Sequence, residues 1–217
     1  MDTLELIKLR HSVRQYTDKP IEPEKRNVLN QLIDDINTTQ LLNIQILYDE
    51  PNCFNSAMAH YGKFSGVTNY ISLVGKKSNT LDERLGYYGE KIVLKAQELG
   101  LNTCWVAMTH GKSNANVKSD EKEVCIISIG YGRTNGVAHQ SKPIERLCNY
   151  SSSLPDWYIK GVQSASYAPT AMNQQKFFFE LKDDNTVVAT HGIGFYTKLD
   201  LGIAKYHFEA VTGKKVQ

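Results

Sequence analysis

No apolar run in this 217-residue sequence approaches the roughly twenty residues that a bilayer-spanning helix needs. The opening MDTLELIKLR places acidic residues where a secretory signal needs cations, so the expectation is a soluble, cytoplasmic protein with no membrane partner. An excess of one charge is also lacking. The 25 Lys and Arg nearly balance the 23 Asp and Glu and are interspersed with them, which argues against a nucleic-acid surface or an acidic-lipid binder. Cysteine is scarce and scattered: Cys53, Cys104, Cys125 and Cys148 form no CxxC and have no histidine at metal spacing, so neither a metal site nor a redox pair is indicated. They read as reduced thiols, with Cys104 and Cys125 packed among apolar neighbours. With 41% apolar and 22% charged residues the composition is ordinary for a globular chain, with length for one sizeable core or two small ones.

What is present is concentrated in one pentad. After the apolar start Leu4, Leu6, Ile7 and Leu9 comes Arg10, His11, Ser12, Val13, Arg14. Two guanidiniums, an imidazole and a hydroxyl suit a doubly charged phosphate, because Arg offers a planar fork of donors and Ser adds a neutral one. The alternative is a helix end whose last carbonyls attract cations.

Further along, Val28, Leu29, Leu32, Ile33 and Ile36 recur at helical spacing after Pro23, which predicts a helix over 21–37. Strands are predicted over 43–49, 68–74 and 124–129, the last a continuous apolar run suited to a central, doubly covered position, and residues 53–66 read as helical then loop. Leu85, Tyr88, Ile92, Val93, Ala96 and Leu99 mark a helix over 81–99 that Gly100 stops. A turn or short helix is expected at 120–123. A polar hinge at 151–156 carries Pro155, and Asp156 is expected to cap a helix through Ser166. Leu201, Ala204, Phe208 and Val211 form a last helical stripe.

The pentad with its continuation Gln15, Tyr16, Thr17, Asp18, Lys19, Pro20 resembles the amino-terminal signature of the nitroreductase family of flavin mononucleotide (FMN) enzymes. The resemblance implies Arg10, His11 and Ser12 on the flavin phosphate and ribityl chain, and Arg14 near the N1 and O2 edge of the ring. A fixed cation there stabilises the charge of the reduced flavin and raises its potential. Gly100 to Ala107 resembles the family's GLGTxWxG passage, with Asn102 and Ala107 where relatives often have Gly; it implies Trp105, Val106 and Ala107 against the ring, with main-chain N–H groups near N5. From the residues alone, a buried strand with Trp105 in the core is the alternative. Gly130, Tyr131, Gly132 and Arg133 resemble the family's strand end. In the string before Pro143 and Glu145, Ser141 stands where an Arg is usual, so Arg133, Lys142 and His139 are candidates for the second phosphate cation.

Ala168 to Gln175 resembles the APSAxNxQPW block, whose small residues and amides lie along the isoalloxazine edge. It implies Pro169, Thr170, Ala171, Asn173 and Gln175 as ring-binding residues, against the alternative of a Pro-initiated loop before a strand. In ordinary relatives this block follows the first long helix, where this chain has Thr38 to Gln45, with Asn and Gln at the same spacing but no Pro. An internal duplication is inferred: 1–150 with the phosphate clamp and 151–217 with the ring block, packed as one globular unit. Clamp and block, about 160 positions apart, are expected to converge on one flavin, as a homodimer or an internally duplicated monomer.

The resemblance implies an α+β, nitroreductase-like sandwich with a central mixed, mainly antiparallel sheet packed by helices. It also implies an FMN-dependent oxidoreductase taking hydride from NAD(P)H to a nitroaromatic, quinone or similar small-molecule acceptor. The flavin carries that chemistry, so no catalytic side chain is assigned. The alternatives are a flavin-binding store or sensor without turnover, and a phosphate-binding module without flavin.

Overall fold

The computed structural model describes residues 2–217. The chain runs α1 (Thr3–Leu9), α2 (Pro23–Gln40), β1 (Gln45–Leu47), α3 (Ala57–Tyr61), β2 (Tyr70–Lys76), α4 (Leu81–Glu98), β3 (Asn102–Val106), β4 (Glu121–Gly130), α5 (Asp156–Ala165), β5 (Phe177–Leu181), β6 (Val187–His191) and α6 (Thr197–Thr212). It divides into two compact units. A sheet unit comprises Arg10–Leu81 and Ile92–Ala138; a carboxy-terminal unit comprises the residues up to Leu9, Asp82–Lys91 and His139–Gln217. No helix among the described residues is long and apolar enough to cross a membrane.

In the sheet unit the strands lie in the order β1-β2-β4-β3, each pair antiparallel, while isolated parallel bridges such as Ser12 to Thr103 make the pairing mixed. The central strands are buried along their apolar runs, Tyr70–Gly75 in β2 and Cys125–Gly130 in β4, as continuous runs without alternation require. β4 begins earlier than expected. Glu121 to Glu123 extend the ladder against Lys76 to Val74 instead of forming a turn. The two acids are satisfied in place: Ser72 Oγ donates to Glu123 Oε1 at 2.5 Å and Asn43 Nδ2 to Glu121 Oε2 at 2.9 Å, so strand pairing leaves no buried carboxylate without a donor. At the other edge β1 is only three residues long, because Asp49 takes a left-handed φ of 55° that ends the strand.

α2 starts with Pro23, whose missing N–H costs nothing at the first turn, and buries Leu29, Ile33 and Ile36. It ends on Leu41 in the left-handed region, and Asn37 ties the exit: its Nδ2 donates to Ile44 O and its Oδ1 accepts from Ile44 N, both at 2.8 Å. Asn37→Ala leaves both backbone groups of Ile44, a 1% exposed residue, without these partners. The expected loss is about 2 kcal/mol by urea unfolding.

In the carboxy-terminal unit α5 and α6 pack together, and α6 lies against the antiparallel β5–β6 hairpin. Phe208 is the hub: its ring stacks on Phe179 at 5.1 Å and meets Tyr158 edge-on at 6.0 Å. Leu199, Leu201, Ile203, Ala204 and Phe208 are buried, whereas Val211 of the expected stripe is only half-buried. Asp156 is the first helical residue of α5 rather than its cap. Pro155 takes the capping position, and no side chain caps it. Asp156 therefore acts on the helix dipole alone. His207 and Glu90 form a fully buried pair, Nε2 to Oε1 at 2.8 Å, with His207 Nδ1 donating to Ser164 O at 3.0 Å.

Candidate functional site

The two groups of expected site residues lie in different units, and each group is built within its own. The pentad directly follows a helix end. α1 stops at Leu9, and Arg10–Arg14 runs on as extended chain held by its backbone: Val13 N–H donates to Thr103 O at 3.0 Å, Ser65 N–H to Arg14 O at 3.0 Å and Tyr16 N–H to Ser65 O at 2.9 Å. Val13 and Tyr16, each 1% exposed, fix the register by burial, and the Tyr16 hydroxyl lies 2.9 Å from Ser128 Oγ. Ser12, by its bridge to Thr103, runs beside β3.

Along this segment the side chains differ in role. Arg10 is buried, while Arg14 is exposed with its guanidinium 5.9 Å over the Phe64 ring. Both cations act on the buried thiol of Cys104: burial pushes its pKa up, while Arg14, then Ser12 and Arg10, pull it down. His11 Nδ1 donates to Asn135 O at 2.8 Å, which fixes the ring and leaves Nε2 as the group that a ligand can meet. Of the three candidates for a further cation, Arg133 is bonded to the same segment. Its backbone N–H donates to Gln15 O and its Nε to Tyr16 O, both at 2.9 Å. No ion pair among the described residues involves Arg14 or Arg133.

Trp105 and Val106 end β3, paired with Ile127 and Ile126. This is the strand of the residue-level alternative, yet Trp105 is half-buried at its end rather than in the core, and Ala107 follows just beyond the ladder. All four cysteines are free and buried, and burial raises the pKa of Cys53 to about 12, so it is no thiolate nucleophile.

In the carboxy-terminal unit the block is a tight turn. Met172, Asn173 and Gln175 all adopt positive φ, between 44° and 53°. Non-glycine residues hold such conformations only when the surroundings over-determine them. Here they do. Gln175 N–H donates to Thr170 Oγ1 at 3.0 Å, Asn173 Nδ2 donates to Gln140 O at 2.9 Å, and Lys142 Nζ donates to Gln174 O at 2.6 Å and Gln175 O at 3.2 Å. The Gln175 amide is saturated, donating to Gln140 O and Asn173 Oδ1 and accepting from Lys142 N–H. With 3% exposure it shapes the turn. Lys142, expected as a possible phosphate cation, is committed to the turn's carbonyls, and His139 lies against the Tyr167 ring at 6.1 Å. Pro169 is buried, Thr170 and Ala171 are half-buried, and Asn173 is exposed.

Sequence reading misses Asp200. It stands in the first turn of α6, where acids are common for the dipole's sake, and nothing local signals that its carboxylate turns to the block: Oδ1 accepts from Ala171 N–H at 3.0 Å and Oδ2 from Gln174 Nε2 at 2.8 Å. Thr38 to Gln45, the position of the block in ordinary relatives, has no such turn. It is a helix end in which Asn43 and Gln45 donate to Asn116 O.

An antiparallel sheet packed by helices, with a cationic extended segment running beside β3, is the class of nitroreductase-fold proteins. The structure superposes on a Thermotoga maritima protein described as a "putative nitroreductase" with a TM-score of 0.69, at 25% identity over 97% of this chain and 83% of that one. A Desulfovibrio desulfuricans "putative nitroreductase in complex with fmn" matches at 18% identity over 70% and 98%, TM-score 0.55. A Clostridium acetobutylicum "putative NADH oxidase" matches at 23% over 65% and 96%, TM-score 0.51. These two share the fold. No curated protein matches the chain. The family model described as "Putative TM nitroreductase" matches residues 2–212, and the chain belongs to this family.

Proposed function

We propose that this chain is an FMN-dependent oxidoreductase that takes hydride from NAD(P)H and passes it to a nitroaromatic, quinone or similar small-molecule acceptor. The observation that carries the reading is the clamp. Arg10, Ser12 and Arg14 sit on one rigid extended segment with Arg133 bonded to its backbone, and no carboxylate pairs with Arg14 or Arg133 among the described residues. That donor set fits a phosphate, because guanidiniums and a hydroxyl donate and nothing in the set repels an anion. The names of relatives support the reading: one is described in complex with FMN, and another as a "putative NADH oxidase".

FMN, when bound, supplies the hydride-accepting and hydride-donating ring. The chain's own residues bind and orient. Arg10, Ser12, His11 Nε2 and Arg133 hold the phosphate end, Arg14 the electron-rich ring edge, and the half-buried Trp105 with the backbone at Val106 and Ala107 the ring face. In the carboxy-terminal unit Pro169, Thr170, Ala171 and Asn173 serve the ring, with Gln175 shaping the turn. No acid or base side chain is required.

The test is colour and turnover. The purified protein is expected to be yellow or to become so on adding FMN, to bleach with NADH or NADPH under anaerobic conditions, and to recolour with a nitroaromatic or a quinone. Colour without bleaching would reassign it as a store or sensor. No FMN binding at all would overturn the reading. Gel filtration of the loaded protein distinguishes a homodimer from a monomer.

A further inference from the structure

Asp200 is a buried carboxylate, 2% exposed, that caps no N–H of the helix carrying it. α6 has no side-chain cap, and the Asp200 backbone N–H already donates to Tyr196 O at 2.9 Å. No ion pair among the described residues compensates its charge. Its two oxygens accept instead from the two ends of one turn, Ala171 N–H and Gln174 Nε2. The same Gln174 Nε2 also donates to Phe195 O at 2.8 Å, so the carboxylate holds, through one amide, the 192–196 loop as well. The side chains these two segments present are unusually open for apolar residues: Met172 at 86%, Phe195 at 78% and Ile193 at 96% exposure.

Burying an uncompensated carboxylate is costly, and burial lifts its pKa to about 6 against the pull of the Ala171 N–H and the Gln174 amide. A fold accepts that cost where the acceptor geometry is needed. Here the geometry is needed by three left-handed residues that lack glycine's freedom.

We propose that Asp200 is a positioning residue: its carboxylate sets the conformation of the 171–175 turn and, through Gln174, of the 192–196 loop, and so presents the block that binds the flavin ring. The last clause rests on the functional reading above; the first stands on the apoprotein. Other charged groups bond to the same segments. Lys142 holds the Gln174 and Gln175 carbonyls, Lys176 Nζ donates to Ile193 O, and His191 lies 3.3 Å from Thr197 Oγ1 at the start of α6. These stay in place in the variants below.

Asp200→Asn keeps the shape and one acceptor but can present an N–H to the Gln174 amide, which cannot turn over without setting its own oxygen against Phe195 O. Amide exchange in 168–176 of the apoprotein is expected to accelerate at least tenfold, while exchange in the sheet unit is unchanged. Gln174→Ala, which removes the second contact together with the bond to Phe195 O but keeps the Ala171 N–H on the carboxylate, is expected to accelerate the same peptides less and serves as the test should Asp200→Asn fail to fold. In FMN titrations the ratio of variant to wild-type Kd is expected to be tenfold or more at pH 7.5 and to close below pH 5, where the wild-type carboxylate is itself protonated. Taking the ratio cancels the titration of the FMN phosphate.

Because the folded pKa is raised from 3.8 to about 6, the folded state holds this proton more tightly than the unfolded chain. Stability from this group is therefore present at low pH and lost as pH rises through about 6, a slope that Asp200→Asn removes. Unchanged exchange in 168–176 in both variants would overturn the positioning role. A wild type that binds FMN with a Kd equal to the variant's at pH 7.5 would overturn its bearing on the flavin. A wild type that binds no FMN would overturn the functional reading, and the exchange measurement then decides the role of Asp200 alone.

Discussion

Gly202→Ala is expected to destabilise the protein by about 3 kcal/mol or more, lowering Tm by roughly 6–12 °C for a chain of this size. A methyl group on Gly202 would lie 1.9 Å from Glu83 O and 2.8 Å from Tyr87 N, so it meets backbone that no rotamer change can move. The contact is reciprocal: a methyl on Gly86 would lie 2.1 Å from Leu199 O. α4 and α6 cross here glycine against backbone, and parting them would stretch the fully buried 2.8 Å contact between Glu90 and His207. Gly213→Ala is the control, since its φ of 67° strains any side chain but nothing lies within 4 Å. It should cost about 1 kcal/mol. A Gly202→Ala loss no larger than the control's in thermal unfolding would show that the helices slide apart freely.

Arg14→Ala is expected to raise the Kd for FMN by about ten- to a hundredfold, the loss of one charge-assisted contact, and to lower the flavin's reduction potential. Because Arg14 is exposed and its segment is held by main-chain bonds and by Val13 and Tyr16, Tm should move little. Arg14→Lys should restore charge but not the guanidinium's planar fork, and so recover the potential more fully than the affinity. Titration of the apoprotein with FMN and redox titration of the loaded protein separate the two. Unchanged affinity and potential would remove Arg14 from the site.

Much of the architecture can be read from residue order because it depends on local periodicity. The stripe Leu85, Ile92, Val93 and Ala96 gives α4 almost to the residue, Pro23 starts α2, and the apolar run Val124 to Ile129 gives the centre of the sheet. What periodicity misses is set by pairing across the chain. Glu121 to Glu123 look like a turn and form strand because Lys76 to Val74 supply the ladder and Ser72 and Asn43 supply donors. β6 has no counterpart among the sequence expectations, and Asp156 looks like a cap but lies one residue inside α5.

The clamp divides the same way. A basic pentad can be a helix end or an anion site, and sequence offers both. In the structure the pentad follows the end of α1, and the backbone groups of Thr103 and Ser65 hold Val13 and Arg14 in extended chain. By itself, then, the sequence determined the helices, the central strands and the family signature, because these are written in short-range spacing and residue type. Only the tertiary structure decided that Arg133 bonds to the backbone of Tyr16 while Lys142 braces the turn, that Gln175 is saturated, and that the Asp200 carboxylate meets Ala171 and Gln174. Each of those rests on a hydrogen bond between residues 26 to 117 positions apart, and no local pattern encodes which distant donor a buried acceptor will meet.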